Sequence, residues 1–339
     1  VRVLLYEHFS AQAAGCDVSL AAEGRAMLTA VLEDLSLCPG VLPSVFVNQG
    51  IPLPGHLEPA RLAPAGTVEA FRSQVRLSDA CLFIAPETGQ TLENLTIIAE
   101  AEGKPLLGAS SLGVRLAGDK MTALGLLSRR LIPVPRTRWF PRDAGPGEVR
   151  SFGLPAVIKP VDGAGCVDTF LVLEESQIGP VLARIRAAPP HRRFILQEYL
   201  AGIAASVSCL VTPGEGSAEP ACTPLSLNRQ LVFPEGAGLR YRGVRVPLVC
   251  PMAQEAFRLG LESCAAIPGL RGWVGIDMVI TQGGPVVIEV NPRLTDAYVA
   301  LRRATRVNLA SMILAVCLEG VKVSPPKVVG EAEYEVDVL

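Results

Sequence analysis

The sequence predicts an α/β domain followed by an α+β region. Three observations carry that reading. Apolar strands and amphipathic helices alternate through residues 1–110, the pattern of a parallel sheet with helices on its faces. From about residue 154, strands follow one another with helices interposed and without βαβ regularity, which points to antiparallel sheets. The chain has 339 residues, 49% hydrophobic and 19% charged, enough for two domains with large cores.

The elements follow in order. Val3–Tyr6 is a short apolar strand, Ala21–Leu35 carries a helical pattern, and Val45–Val47 reads as a second strand. Val68–Val75 is helical, "ACLFIAP" (80–86) is a buried strand, Leu92–Ala101 is helical, and "PLLGAS" (105–110) closes the unit. Asp119–Arg130 is a helix, ended by the two prolines of "IPVPRTRWF", which leads into an extended segment. "LPAVIKPVDGAGC" (154–166) is a strand, a lysine and a glycine-bearing loop, and "TFLVL" (169–173) returns as a strand. A helix at about 176–187 precedes "RFILQEYLAG" (193–202), a strand running into a turn, and the strand "ASVSCLVT" (205–212). Strands and turns continue to about 250. A helix at 252–266, a hairpin at 273–290 and one helix at 299–318 complete the chain.

Composition excludes several classes. Net charge is −2 with no basic block, which argues against a nucleic-acid or anionic-membrane partner. No 18-residue apolar run predicts a transmembrane helix. "VRVLLYE" reads as a strand and lacks a signal-peptide pattern. Nine cysteines are scattered without a CxxC or a Cys/His cluster. They read as reduced thiols in cytoplasm rather than disulfides or a zinc site.

The richest stretch is "GWVGIDMVITQGGPVVIEVNPR" (272–293), two strands around the Gly-rich turn "TQGGP". Counted from Gly283, Asp277 lies six residues before and Glu289 six after. In a regular hairpin these carboxylates face each other. Like charges so placed are destabilising, so a positive group is expected between them. Glu289, Asn291 and Arg293 sit at every second position and share one side of a strand. Carboxylate and amide oxygens suit Mg²⁺, which leaves positions for phosphate oxygens. The plainer reading is a solvated face with Arg293 in a surface salt bridge.

Lys159 ends an apolar strand and precedes Gly163 and Gly165, which let backbone N–H groups approach an anion. "GAG" is no dinucleotide fingerprint, because G-x-G-x-x-G is absent and a strand, not a helix, follows. "ILQEYLAG" offers backbone N–H and C=O groups beside an apolar side chain, a segment able to bond an adenine edge or merely an ordinary strand end.

Taken in order, "DK" (119–120) before a helix and "IPVPRT", then "PAVIKPVDGAG", "QEYLAG" and "GIDMVI…VVIEVNPR" resemble the ATP-grasp superfamily of carboxylate–amine ligases over roughly residues 115–318. "ACLFIAPE" followed by "LENL", and "SLNRQL" (226–231) followed by "YRG" and a proline, look like the branch containing tyramine–glutamate ligase of methanofuran synthesis. Proteins of that branch also occur beside methanopterin-dependent one-carbon genes. The resemblance implies an ATP-grasp fold with a pre-ATP-grasp domain at 1–114. A lid subdomain with the central glycine loop would span 115–195, a large subdomain with the metal site 196–325, and a tail 326–339.

The resemblance also implies roles. Lys120 and Lys159 would contact ATP phosphates, with Lys159 near the α-phosphate and the adenine. The loop Asp162–Cys166, with Gly163, Ala164 and Gly165, would fold over the triphosphate. Gln197, Glu198, Tyr199 and Leu200 would form the adenine hinge, largely by backbone. Asp277, Glu289 and Asn291 would bind two Mg²⁺, or Mn²⁺ in their place, and Arg293 would steady the transferred phosphoryl group. One departure stands out: Ala204 occupies the position where such enzymes often place an acid for the ribose.

The implied reaction makes an acyl phosphate from a carboxylate and joins it to an amine, in a cytoplasmic enzyme of cofactor biosynthesis that is commonly a homodimer. The alternatives are an ATP-grasp kinase and a nucleotide-binding regulatory protein without turnover. For small-molecule carboxylate and amine substrates, Asn228, Arg229, Gln230, Arg240 and Arg242 lie in the segment expected on the acceptor side. Arg229 and Arg242 are the expected carboxylate contacts, with a solvated loop as the plainer reading. Glu87, at the end of a strand where open α/β sheets place ligands, is expected to open onto the cleft and hold an ammonium, or else to cap the next helix.

Overall fold

The computed structural model describes residues 1–12, 18–48, 51–53, 60–62, 68–214 and 220–336. The first part runs β1 (Arg2–Glu7), α1 (His8–Ala11), α2 (Val18–Ser36), β2 (Leu42–Phe46), β3 (Ala60–Leu62), α3 (Val68–Leu77), β4 (Ala80–Ile84), α4 (Thr91–Ala101) and α5 (Ser111–Gly118). Its four strands lie in the order β3-β2-β1-β4 and every pair is parallel. β4 is buried at all five positions, as the unbroken apolar run "ACLFI" requires of a strand covered on both faces. "PLLGAS" adds only an isolated parallel bridge, Leu106 to Cys81.

The second part begins with α6 (Lys120–Arg129), β5 (Thr137–Phe140), α7 (Pro146–Phe152), β6 (Ala156–Pro160), β7 (Phe170–Val172), α8 (Ile178–Ala187) and β8 (Phe194–Glu198). It continues with β9 (Ile203–Thr212), β10 (Ala221–Glu235), β11 (Gly238–Val246), α9 (Ala253–Ala266), β12 (Gly272–Thr281), β13 (Gly284–Asn291), α10 (Ala297–Ala304), α11 (Leu309–Leu318) and β14 (Ala332–Glu335). Ten strands form one sheet in the order β13-β12-β9-β10-β11-β7-β6-β8-β5, with β14 paired to β11. All its pairings are antiparallel, as the strand runs predict.

Three apolar cores organise these layers. Phe140, Val149, Phe152, Ile158, Phe170, Ile185 and Phe194 pack β5–β8 against α7 and α8. Leu28, Val31 and Leu35 of α2 pack with Trp273, Tyr298 and Ile313, so the first part docks on the second through apolar contact. Val207, Leu259, Ile276 and Val290 join α9 to the sheet.

Two expectations are corrected. The helix expected at 299–318 is two helices. Thr305 is extended and bridges Val328, and Asn308 caps α11 by accepting from Ser311 N–H at 2.9 Å. A β-branched residue in an isolated bridge and a side-chain cap restart the helix rather than continue it. The cysteines are also not all apart: the eight described ones are free, but Cys209, Cys222 and Cys264 converge.

Candidate active site

The hairpin β12–β13 sets the centre of the site. Its turn is Gln282–Gly283, because Thr281 pairs with Gly284. A regular register about that turn would set Asp277 against Ile288. The register shifts between Asp277 and Met278, Met278 faces Val287, and Asp277 faces Glu289. Ile288 is thus the extra residue of a β-bulge, and the bulge brings the carboxylates opposite. Burial, then the facing Glu289, pushes the Asp277 carboxyl up to about 7, while side-chain hydrogen bonds from Gln230 and Asn291 pull it back.

Two of the positive groups come from other elements, α6 and β6, and the third follows β13 itself. Asp119 caps α6 by accepting from Thr122 N–H, and Lys120 N–H bonds Val161 O at the end of β6. That fixes Lys120, whose Nζ lies 2.9 Å from Glu289 Oε1 and donates to Gly163 O at 3.1 Å. Lys159, inward on β6, is buried. Burial pulls its ammonium below the ordinary lysine value, and Glu289 opposes that pull. Arg293 Nε pairs with Glu87 Oε1 at 2.9 Å, both side chains mostly buried.

One cleft of about 420 Å³ opens beside them. Lys120, Lys159, Asp162 to Cys166, Gln197 to Leu200, Asp277, Glu289, Asn291 and Arg293 all border it. The glycine loop is folded over it. Asp162 Oδ2 accepts from Gly89 N–H at 3.0 Å, and Gly165, at φ +65°, lies so close to α2 that a Cβ would meet Leu20 Cδ2 at 2.7 Å. Gln197 donates to Thr137 Oγ1 at 2.9 Å, and Glu198 and Tyr199 N–H groups bond Arg136 O and Pro155 O. Ala204 lines the cleft without an acid to offer a ribose.

On the acceptor side the expectations divide. Arg229 and Gln230 line the cleft. Arg242 does not, because Leu239 and Tyr241 take the inward positions of β11 and their neighbours point away. Arg242 lies over the Phe233 ring, Arg240 pairs with Glu235, and Asn228 is buried against Ser206 and Ser208. Glu87 is likewise corrected. It does not border the cleft but is buried behind Arg293, with Oε2 unpartnered, and it makes no side-chain cap. The strand-end argument holds better for Glu7, at the end of β1, which does line the cleft with Phe9, Glu23 and Gly24.

Sequence reasoning also missed Tyr241 and Asp296. The Tyr241 hydroxyl donates to Asp296 Oδ2 in the cleft wall. Burial pushes the Asp296 carboxyl up to about 6. Asp296 stands three residues beyond Arg293 in "RLTDA", which was the available signal.

Comparison with known proteins matches the sequence to a family. Residues 117–297 match the ATP-grasp domain, and residues 52–114 match the pre ATP-grasp 3 domain. The tyramine–L-glutamate ligase of Methanocaldococcus jannaschii is 26% identical over 93% of this chain and 89% of its own length. An ATP-grasp superfamily protein from Archaeoglobus fulgidus is similar in structure with a TM-score of 0.68 at 24% identity, covering 100% of this chain and 99% of that one. The D-alanine–D-alanine ligase from Bacillus anthracis complexed with ATP gives 0.64 at 16% identity, covering 94% of this chain and 97% of that one. Among the described residues, no helix is long and apolar enough to cross a membrane.

Proposed function

Because the chain belongs to the ATP-grasp family, we propose that it is an ATP-dependent, ADP-forming ligase that joins a glutamyl-type carboxylate to an amine. The observation that carries this reading is Asp277 facing Glu289 with Lys120 on Glu289 and Lys159 buried in the same cleft. Two carboxylates, an amide and two ammonium groups in one buried place suit a triphosphate with its cation and little else.

The roles follow from position. Lys120 and Lys159 hold phosphate oxygens, and the loop 162–166 covers them and excludes water. The strand end Gln197–Leu200 takes the adenine edge, largely by backbone. Asp277, Glu289 and Asn291 fit a hard divalent cation by their oxygen donors. A magnesium ion held by these residues would neutralise charge on the triphosphate.

The substrate carboxylate oxygen attacks the γ-phosphorus, the β–γ bridge breaks and ADP leaves. The amine nitrogen then attacks the acyl carbon, phosphate leaves and the nitrogen loses a proton. Arg293, held by Glu87, faces the negative charge that builds on the transferred group. The chain itself supplies positioning and fixed charge rather than covalent chemistry.

Arg229 in the cleft suits a second carboxylate on the substrate. A relative named tyramine–L-glutamate ligase supports L-glutamate as the acid and an aryl-ethylamine as the amine. With these substrates the enzyme acts in cytoplasmic cofactor biosynthesis linked to one-carbon metabolism, as a homodimer; the boundary expected at 195 would cut β8, which pairs along its length with β5 and β6, so the lid ends after Glu198. The test is ADP release with ATP, Mg²⁺, L-glutamate and an amine panel, with hydroxylamine as a trap. Acid-dependent ADP release with a trappable product is expected. Release that follows an alcohol instead marks a kinase, and none at all a binding protein.

A further inference from the structure

Cys209 of β9, Cys222 of β10 and Cys264 of α9 bring three sulfurs within 4.8 Å of one another. Nothing in the ligase reading uses them, and none lines the cleft. Ala204 and Ser206 of β9 face the cleft, so by strand alternation Cys209 faces the opposite side.

The fold builds this cluster from distant stretches. Cys222 pairs with Val211 and Cys209 with Pro224, which makes the two cysteines diagonal neighbours across β9 and β10. α9 presses onto them at Gly260. A Cβ there would meet Val207 Cγ1 at 2.9 Å and lie 3.6 Å from Cys209 Sγ. Cys264, one turn further along the same helix face, is thereby set against the strand cysteines. Cys209 and Cys264 are fully buried, while Cys222 is half-buried and gives the cluster an open side.

Ligand chemistry narrows the occupant. Among the described residues the set is of thiols without carboxylate or imidazole, which selects a soft ion. Three sulfurs bound at ~2.3 Å to one pyramidal three-coordinate ion lie roughly 3.5 Å apart, so the widest pair of the cluster has to close by about 1.3 Å at most. Structural zinc takes four ligands, and among the described residues the cluster offers three. The surroundings are apolar, and the charges acting on these thiols come from one another. Three thiolates leave two net negative charges around a monovalent ion, one around a divalent ion and none around a trivalent ion. Burying net charge without a partner is costly, so the neutral complex is favoured.

We propose that Cys209, Cys222 and Cys264 form a three-thiolate site for one trivalent, three-coordinate thiophilic ion of the arsenous-acid class. Each arsenic–sulfur bond forms as an arsenic–oxygen bond breaks, and each thiol proton leaves with the departing hydroxide as water. No electrons are transferred. Cys222 is the entry thiol, because it is half-buried while Cys209 and Cys264 are fully buried.

The test uses the full chain, reduced with a phosphine and free of metal, with one equivalent of arsenite. Native mass spectrometry should show one arsenic per chain with three hydrogens lost, and the melting temperature should rise on binding. Cys222→Ser, at the half-buried position, and Cys264→Ala should each lose stoichiometric uptake, whereas Cys38→Ser, in another core, should retain it. Wild-type protein that takes up no arsenic would overturn the proposal. So would uptake that survives in Cys222→Ser, or zinc outcompeting arsenite for the site. Cys222→Ser alone decides the matter should Cys264→Ala fail to fold.

Discussion

Glu87 Oε1 lies 2.9 Å from Arg293 Nε, and this buried pair ties the segment after β4 to the segment after β13. It joins the parallel sheet to the large sheet at the cleft wall. Glu87 holds the guanidinium and does not border the cleft. Glu87→Gln should therefore lower kcat roughly 10²-fold through misplacement of Arg293. The KM for ATP should stay within about twofold, because nucleotide contacts remain. Glu87→Asp should recover part of the rate. A variant whose only defect is a raised KM for the amine would show that Glu87 meets substrate after all.

Glu289 faces Asp277 and carries Lys120. Glu289→Gln removes the charge that both the proposed cation and Lys120 need. Turnover should fall by roughly 10² or more, the scale of losing one strong electrostatic stabiliser. Circular dichroism should be unchanged. Near-normal magnesium-dependent activity would end the metal assignment.

Lys159 is buried beside the glycine loop, with Glu289 its strongest favourable charge. Lys159→Ala should raise the ATP requirement and lower the rate together, because the same contact serves bound nucleotide and developing charge. Saturation curves in ATP with unchanged half-saturation would contradict this role.

The site was legible in sequence wherever neighbouring residues alone decide it. Counting from Gly283 pairs Asp277 with Glu289 correctly, yet the turn is Gln282–Gly283 and the bulge at Ile288 restores the pairing. No local pattern announces that bulge. Lys120, Lys159 and the segment Gln197–Leu200 were picked out by the family resemblance of their motifs, and all of them line the cleft. Arg242 was not, because its side of the sheet depends on the phase of β11, which Tyr241 sets. Rules about strand ends pointed to Glu87, whereas tertiary packing brought Glu7 to the cleft instead. The helix break at Thr305 and the cysteine cluster both depend on partners far along the chain.

Gly165 sits at φ +65°, against Leu20 of α2. Alanine there costs about 1–2 kcal/mol of backbone strain in the closed loop. That corresponds to a factor of about 5–30 in the closed population. Gly165→Ala should thus admit water to the acyl phosphate. The ratio of amide formed to ADP released should drop below that of the wild type, even at saturating ATP. Equal ratios in the two proteins would show that this loop does not guard the intermediate.

Glu7 offers a pH test that leaves catalysis aside. Its carboxylate accepts from Phe9 and Ser10 N–H groups and packs on Gly24, where a Cβ would come within 2.3 Å of Oε1. Burial is the largest influence and lifts its carboxyl above 4.5, with the hydrogen bonds opposing. A carboxyl raised on folding holds its proton more tightly in the native state. Its favourable contribution is whole below about 4.5, the unfolded value, and is lost as pH rises through the higher folded value. Glu7→Gln cannot titrate. The stability of wild type relative to Glu7→Gln should therefore decline as pH rises above 4.5, as read by urea unfolding of both proteins in matched buffers. The difference cancels every other titrating group. A relative stability that stays level or climbs over this range would mean that the N–H contacts, not burial, govern Glu7.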